Sequence, residues 1–328
     1  MRAPVVEVSR LSVDYGRADP VHAVRDVSLT IEADEFLGLV GESGCGKSTL
    51  GFAMARLERP PARIVTGAVR IAGQDWMHLG EEALRRARWE QVAVVLQSGM
   101  NALNPIMTIG AQFHDVLAQH TRMTAAERTA RAKTMLAMVQ IPPEVLRRYP
   151  HELSGGMKQR IAIALALVLH PQLVIMDEPT TALDMVVQRQ IVENLKALRR
   201  QQAFAMLFIS HDLGLVLELV DRVVVMYAGE IVERQAARSV LDQPRHPYTR
   251  ALIQALPDPE TPTGTYAGIP GTPPALRQIP PACLYAPRCP LVEARCRQMA
   301  PPLTTVGGVD VRCLVMAKEG RADGGSGT

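Results

Sequence analysis

Nine consecutive residues constrain this chain more than any other feature. Gly41-Glu42-Ser43-Gly44-Cys45-Gly46-Lys47-Ser48-Thr49 matches the G-x-x-x-x-G-K-[ST] phosphate loop in full. An apolar run suited to a strand, Phe36 to Val40, precedes it, and a helical pattern from Ser48 to Leu57 follows. The residue types have physical reasons. Glycines let the backbone curl so that successive N–H groups converge on one concavity, and the following helix N-terminus adds positive potential. Lys47 is placed to reach β- and γ-phosphates, and the Ser48 hydroxyl is a hard oxygen ligand suited to Mg²⁺. A chain carrying this loop is expected to fold as α/β, with parallel strands delivering their C-terminal ends to a nucleotide phosphate chain.

The rest of the first 240 residues agrees. Val5 to Val13 shows period-two alternation, Val27 to Ile31 is β-rich, and Val92 to Leu96, Leu173 to Met176, Met206 to Ile209 and Arg222 to Tyr227 read as strands. Helical patterns fall between Thr108 and Tyr149, after Ser154, and from Val187 to Gln201; Thr124 and Glu127 have capping-box spacing. The stretch from 108 to 150 holds helices and no convincing strand, so it reads as a helical insertion. Alternation of strand and helix points to a mostly parallel sheet covered by helices. Leu173-Val-Ile-Met-Asp177-Glu178 is an apolar strand ending in two carboxylates, where open α/β sheets bind ligands. Asp177 is the expected Mg²⁺ ligand, through water, and Glu178 the expected general base on attacking water.

Composition narrows the setting. With 36 Lys plus Arg against 33 Asp plus Glu, the net charge of +3 over 328 residues gives no support to a polyanion-binding protein. The longest apolar run, Ile161 to Leu169, is about half a membrane span, and MRAPVVEVSR has no apolar stretch of signal-peptide length. The chain is therefore expected to be cytosolic or peripheral. Its last 85 or so residues are different material: 14 of 24 prolines lie between Pro244 and Pro302, and four of five cysteines lie beyond residue 280. Beyond Pro257 such a sequence is not expected to sustain long helices or central strands, and RADGGSGT at the end reads as a mobile tail.

Further motifs carry a family resemblance. Leu153-Ser154-Gly155-Gly156-Met157-Lys-Gln-Arg, 23 residues before Asp177, resembles the signature of ATP-binding-cassette (ABC) ATPases. Gln97 resembles their Q-loop, Thr181-Ala-Leu-Asp184 their D-loop, and His211, 33 residues beyond Glu178, their switch histidine. Tyr15, 26 residues before Gly41, fits the aromatic that stacks on adenine; packing of a strand-end tyrosine on the core is the competing reading. The resemblance covers residues 5 to 256. It implies a RecA-like core sheet with an antiparallel β-subdomain and a helical subdomain at about 100–170. It also implies ATP and Mg²⁺ as ligands, with Ser48, Gln97 and Asp177 around the metal. Lys47, Gln97, Glu178 and His211 would be the catalytic set. Two such domains would sandwich two ATP molecules, each between one phosphate loop and the facing Ser154-Gly155-Gly156 with Asp184 beside it.

The subfamily is narrower still. Gln188, MVVQRQIV, SHDLGLVLELVDRVVVMYAGEIVE and Met157 resemble ATPases of bacterial peptide and nickel importers. His246-Pro247-Tyr248-Thr249-Arg-Ala251-Leu252 resembles the opening of the C-terminal extension in the oligopeptide/dipeptide/nickel family. The resemblance implies domains at 1–243 and 244–320, with a flexible tail at 321–328. It implies a homologous second ATPase (a heterodimer), two membrane permeases, an extracytoplasmic binding protein and no nucleic acid. The place implied is the cytoplasmic face of the membrane. Three positions depart from the pattern: Asp34 where Gly is usual, Ser98-Gly99 where an acid and proline are more common, and Ala282 where Gly precedes the first cysteine. The alternatives are a soluble ABC ATPase acting on nucleic acid or ribosomes, and a kinase or switch GTPase, which gives no reason for Leu153-Ser-Gly-Gly.

Cys283, Cys289, Cys296 and Cys313 leave five, six and sixteen residues between them, which is neither a zinc-ribbon knuckle nor a ferredoxin run. Their spacing leaves open a metal centre, unliganded thiols or disulfides. The subfamily resemblance implies a [4Fe–4S] cluster on these four, with Zn²⁺ as the runner-up. Cys45, inside the phosphate loop, is read either as a small filler or as a thiol made reactive by helix N–H groups.

Overall fold

Runs of branched and aliphatic residues with no charged member become strands covered on both faces. A computed structural model describes residues 4–96, 102–181, 183–256 and 268–323. The strands are β1 (Pro4–Tyr15), β2 (Val21–Glu32), β3 (Phe36–Val40), β4 (Ala62–Ile71), β5 (Gln74–Asp75), β6 (Val92–Val95), β7 (Leu173–Asp177), β8 (Ala205–Ser210), β9 (Arg222–Tyr227), β10 (Glu230–Ala236), β11 (Thr304–Val306) and β12 (Val309–Val311). They are shared between two compact units, each assembled from several chain segments.

The first unit comprises Met1–Glu7, Leu29–Phe36 and Ala68–Ile209. Here β6, β7 and β8 pair in parallel, with Val95 opposite Met176 and Asp177 opposite Ile209. Every residue of β7 and β8 is buried, the pattern of a strand covered on both faces. Between β6 and β7 the described chain is helical, at Ile109–His120, Ala125–Met138 and Gly155–Ala166, with single turns at Pro143–Arg147 and Pro150–Glu152. The expected capping box forms: Glu127 N donates to Thr124 Oγ1 at 3.3 Å, and Thr124 N donates to Glu127 Oε2 at 2.6 Å. Phe113, Leu117, Met135 and Leu136 fill the space between these helices. Helix Met185–Gln201 follows β7, and its Arg199 lies 4.5 Å over the Phe36 ring and donates to the Asp34 carbonyl at 3.0 Å. Asp34 itself stands at φ 60°, a left-handed turn position that Asp tolerates better than most residues, so replacement of the usual glycine keeps the turn.

The second unit comprises Val8–Ser28, Leu37–Gly67 and Ser210–Thr328. Five of its strands stand in the order β11-β12-β10-β9-β3, with β3 and β9 parallel and the others antiparallel. The period-two pattern of β1 slips by one at Arg10, which takes φ 49°. The inward residues therefore run Val6, Val8 and then Leu11, Val13. Arg10 reaches across to Asp26 at 2.9 Å, itself at φ 46°.

The C-terminal extension lies in the same unit as the phosphate loop. Its regular structure is short, as its prolines require: three-residue strands β11 and β12 and turns at Ala286–Arg288 and Ala294–Arg297. Two elements are longer, helix Pro247–Gln254 and helix Leu314–Asp323, and the second runs into the segment expected to be a mobile tail. The His246-Pro247-Tyr248 segment is a packed helix start. His246 Nδ1 accepts from Tyr248 N at 3.0 Å, Pro247 takes the first helical position, and the Tyr248 ring is fully buried. Glu233, also fully buried, accepts from Arg245 N at 2.8 Å and His246 N at 2.7 Å.

Burial pushes the His246 pKa down to about 3, against the opposing pull of a hydrogen bond with the Arg312 backbone. Between there and the usual value near 6.5 the unfolded chain binds a proton that the folded chain refuses, so stability falls as pH falls through that window. His246→Asn should remove of the order of 2 kcal/mol of the loss between pH 7 and pH 5. Urea unfolding of both proteins at the two pH values measures it.

Candidate nucleotide site

The phosphate loop begins where β3 ends and closes on helix Lys47–Met54. Two of its glycines are dictated by crowding. Gly41 takes φ 152° and a Cβ there would lie 2.2 Å from the Met226 carbonyl oxygen. Gly46 takes φ 102° and its Cβ would lie 2.1 Å from the Ala23 carbonyl oxygen. Gly44 takes φ 78° with open space around it. The loop is also bonded to the sheet behind it, because Gly229 N donates to the Cys45 carbonyl at 3.0 Å. The Lys47 side chain is buried, and its ammonium donates to the carbonyls of Gly41 at 2.8 Å and Glu42 at 3.0 Å. Ser43 is exposed and Ser48 half-buried.

Tyr15, at the end of β1, places its hydroxyl 3.1 Å from Thr49 Oγ1, and the residue is 36% exposed, so the tyrosine is not packed away in the core. Cys45 behaves otherwise than a reactive thiol. It is buried, and burial pushes its pKa up against the opposing pull of Lys47, so the thiol stays protonated. Burial thus favours the small-filler reading over the reactive thiol. His211 follows β8 on an exposed position, and the next residue, Asp212, caps helix Leu213–Leu217.

In the first unit, β7 ends on Asp177, which is 3% exposed. Glu178 turns the chain at φ 46°, with its N–H donating to the Ile209 carbonyl at 2.9 Å. Its carboxylate accepts from Thr181 Oγ1 at 2.9 Å, a contact that orients the side chain and that sequence reasoning had not singled out. Ser154 caps helix Gly155–Ala166 through Met157 N at 3.4 Å. A Cβ on Gly156 would meet the Val187 side chain at 2.7 Å, so the signature segment packs directly on the helix that Asp184 caps. Gln188 on that helix donates to the carbonyls of Thr180 at 3.2 Å and Leu183 at 3.0 Å, pinning the D-loop segment from both sides. Gln97 lies outside the described residues.

Two residues far along the chain reach the phosphate loop, and no local signal marks them. Arg288 forms a bidentate pair with the Glu42 carboxylate at 2.7 and 2.9 Å. The Tyr248 hydroxyl accepts from Glu42 N at 2.8 Å.

The four C-terminal cysteines share one locality. Cys296 and Cys313 are buried, Cys283 and Cys289 half-buried, and Cys283 N donates to the Cys296 carbonyl at 2.9 Å. Burial pushes Cys283 up to about 11 and raises Cys289, and the charges of Cys296 and Cys313 add to both shifts. All five cysteines are free thiols, so the disulfide alternative is not realised. Among the described residues no group of three or more His, Cys, Asp or Glu side chains is arranged to hold a metal ion.

With this geometry in hand, comparison with known proteins is decisive. The profile of the ABC transporter family matches residues 24–181, and that of the oligopeptide/dipeptide transporter C-terminal region matches residues 232–296. The oligopeptide transport ATP-binding protein of Salmonella typhimurium is 42% identical over 91% of this chain and 90% of its own length. The chain belongs to the oligopeptide/dipeptide family of ABC transporter ATP-binding proteins. A second member, the dipeptide transport ATP-binding protein of Haemophilus influenzae, is 39% identical over 94% of both chains. A dimeric ATP-binding cassette in a post-hydrolysis state with ADP and Pi is 28% identical, with a TM-score of 0.64. It covers 71% of this chain and 99% of its own. The fold is the P-loop ABC cassette, and the family's activity is ATP hydrolysis.

Because Gly46 has no space for a methyl group and a left-handed φ, Gly46→Ala should weaken Mg·ATP binding by about a hundredfold or more. Equilibrium titration with a fluorescent ATP analogue measures the loss.

Proposed function

We propose that this chain is the ATP-hydrolysing subunit that powers peptide uptake by a multisubunit ABC importer. The observation that carries the reading is the joining, on one chain, of an ABC cassette to the oligopeptide/dipeptide C-terminal region. Relatives similar over nine-tenths of the chain are named for oligopeptide and dipeptide transport, which favours transport over work on nucleic acid or ribosomes.

The curled backbone of Gly41 to Thr49 is assigned to cradle the phosphates, with Lys47 turning its ammonium from the loop carbonyls to the β/γ-phosphate oxygens. The Ser48 hydroxyl and Asp177 carboxylate are hard oxygen donors that fit Mg²⁺, with Gln97 as a further ligand. Bound Mg²⁺ neutralises charge building up on the phosphates. Glu178, aligned by Thr181, takes the proton of the attacking water, and His211 holds the γ-phosphate and that water. The Tyr15 ring stacks on adenine. Ser154, Gly155, Gly156 and Asp184 complete the site of a second cassette, which we take to be a homologous but different chain.

The cassette is assigned to 1–243, the transporter-type extension to 244–320 and a tail to 321–328. No described helix is long and apolar enough to cross a membrane. Membrane attachment is accordingly assigned to two permease partners, reached through the helical subdomain on the cytoplasmic face. Substrate reaches them from an extracytoplasmic binding protein.

For the cysteines we propose a [4Fe–4S] cluster held by Cys283, Cys289, Cys296 and Cys313. Support comes from the Cys283 N–H bond to the Cys296 carbonyl at 2.9 Å and from the influence of Cys296 and Cys313 on both Cys283 and Cys289, in a proline-rich segment. Anaerobically purified protein should carry about four irons and four sulfides per chain with absorbance near 400 nm. Colourless protein with stoichiometric zinc rejects the assignment.

Glu178→Gln keeps the size of the side chain and its acceptor oxygen for Thr181 but removes the base. It should bind Mg·ATP as the parent does and lose steady-state hydrolysis. Turnover above about a tenth of the parent rate would rule Glu178 out as the base.

A further inference from the structure

Glu42 is the second residue of the phosphate loop, and it is held from two sides by residues of the C-terminal extension. From one side Arg288, 246 positions away, lays its guanidinium fork on the carboxylate: Nη1 to Oε2 at 2.7 Å and Nη2 to Oε1 at 2.9 Å. The Arg288 side chain is only 3% exposed, and its remaining donors are taken by the carbonyls of Pro270 at 2.8 Å and Ile269 at 3.1 Å and by the Tyr227 hydroxyl at 3.4 Å. A forked pair with one buried partner is the strong kind, and losing one member leaves a charge without compensation. From the other side Glu42 N donates to the Tyr248 hydroxyl at 2.8 Å. That tyrosine cannot drift, since its ring is buried against Tyr227 at 4.6 Å and Tyr285 at 5.4 Å. Glu42 in turn touches the phosphate-binding lysine, whose ammonium donates to the Glu42 carbonyl at 3.0 Å.

Arg288 and Tyr248 both rest on Tyr227 of β9 and from there reach Glu42 in the loop itself, and two physical effects follow. The first is order. A loop with glycines at 41, 44 and 46 has many conformations open to it, and each must be given up when a phosphate chain binds. Fixing both the side chain and the N–H of Glu42 removes part of that cost in advance. The second is charge. A carboxylate in an anion-binding loop repels phosphate unless a cation cancels it, and Arg288 is that cation.

We propose that the C-terminal extension is a working part of the nucleotide site: Arg288 and Tyr248 are positioning residues that hold Glu42, and through it the phosphate loop, in the phosphate-ready curl, and so set the affinity for Mg·ATP. The proposal rests on the reading of residues 41–49 as the ATP site. Sequence gives no hint of it, because neither Arg288 nor Tyr248 belongs to a nucleotide-binding motif.

The test is a set of Mg·ATP titrations on the full chain, with thermal melting of each variant alongside. Arg288→Met should raise Kd about tenfold by leaving Glu42 charged and loose. Adding Glu42→Gln to it should recover most of that loss, since the double variant has no unpaired charge. Tyr248→Phe keeps the ring packing and removes only the acceptor of Glu42 N, and should raise Kd about threefold. Should Arg288→Met fail to fold, Arg288→Lys, which keeps the charge but not the fork, takes its place with an expected rise of at least about threefold. A merely structural role would lower the melting temperature and leave Kd within twofold of the parent in every variant, and that result overturns the proposal. Parent protein that does not bind Mg·ATP at all would overturn the underlying site assignment instead.

Discussion

Two backbone carbonyls, those of Ala23 and Met226, stand where side chains of residues 46 and 41 would otherwise be. That crowding is the constraint on which the second unit depends. It forces left-handed glycines at two points and so produces the curl that turns N–H groups inward. It also ties the loop to distant chain: Ala23 belongs to β2, Met226 to β9, and the turn after β9 bonds both Cys45 and Arg25 through Gly229. The parallel pairing of β3 with β9, with Val40 opposite Val225, sets the depth at which the loop leaves the sheet. A phosphate site of this type is a property of strand register as much as of the motif itself.

Features with a local physical cause were legible in the sequence. The phosphate loop between strand and helix, the Thr124–Glu127 box and the buried run ending at Asp177 all depend on neighbours within a few positions. Strand β10 was not legible, because Glu230–Ala236 carries Glu, Arg and Gln. Its central Glu233 is buried only because the backbone of residues 245 and 246 satisfies it from another segment. The slip at Arg10 was hidden for a similar reason: its left-handed φ is stabilised across the sheet by Asp26 and Ser28, not by adjacent sequence. In the site, residue types and their order could be read from the motifs. The alignment of Glu178 by Thr181 and the pinning of residues 180 and 183 by Gln188 needed coordinates. Cys45 shows the limit of motif chemistry. A helix N-terminus and a lysine argue for a reactive thiol, and burial outweighs both.

A segment dense in proline cannot assemble a large apolar core, and the extension is fastened by other means. Its own apolar cluster is small, centred on Val311, Cys313 and Met316. Beside the β10–β12 ladder, its fixings include arginines that donate to carboxylates and to a backbone carbonyl: Arg234 to Asp310, Arg277 to Asp19, Arg312 to the carbonyl of Ile231, and Arg288 to Glu42. Such links differ in weight. Arg277 and Asp19 are more than half exposed and contribute little, whereas Arg288 is almost wholly withdrawn from water. The strongest of the fastenings is thus also the one that ends on the phosphate loop.

That arrangement bears on how the protein can be cut and recombined. The stretch matched by the ABC transporter profile, residues 24–181, contains the entire phosphate-loop motif yet neither Arg288 nor Tyr248. A cassette trimmed after β10, or a chimera that grafts this loop onto a relative's extension, would keep every motif residue and lose the outside grip on Glu42. The transplantable module is therefore discontinuous: residues 41–49 travel together with 247–254 and 269–289, and a graft that separates them should be judged by its nucleotide affinity before its transport is measured.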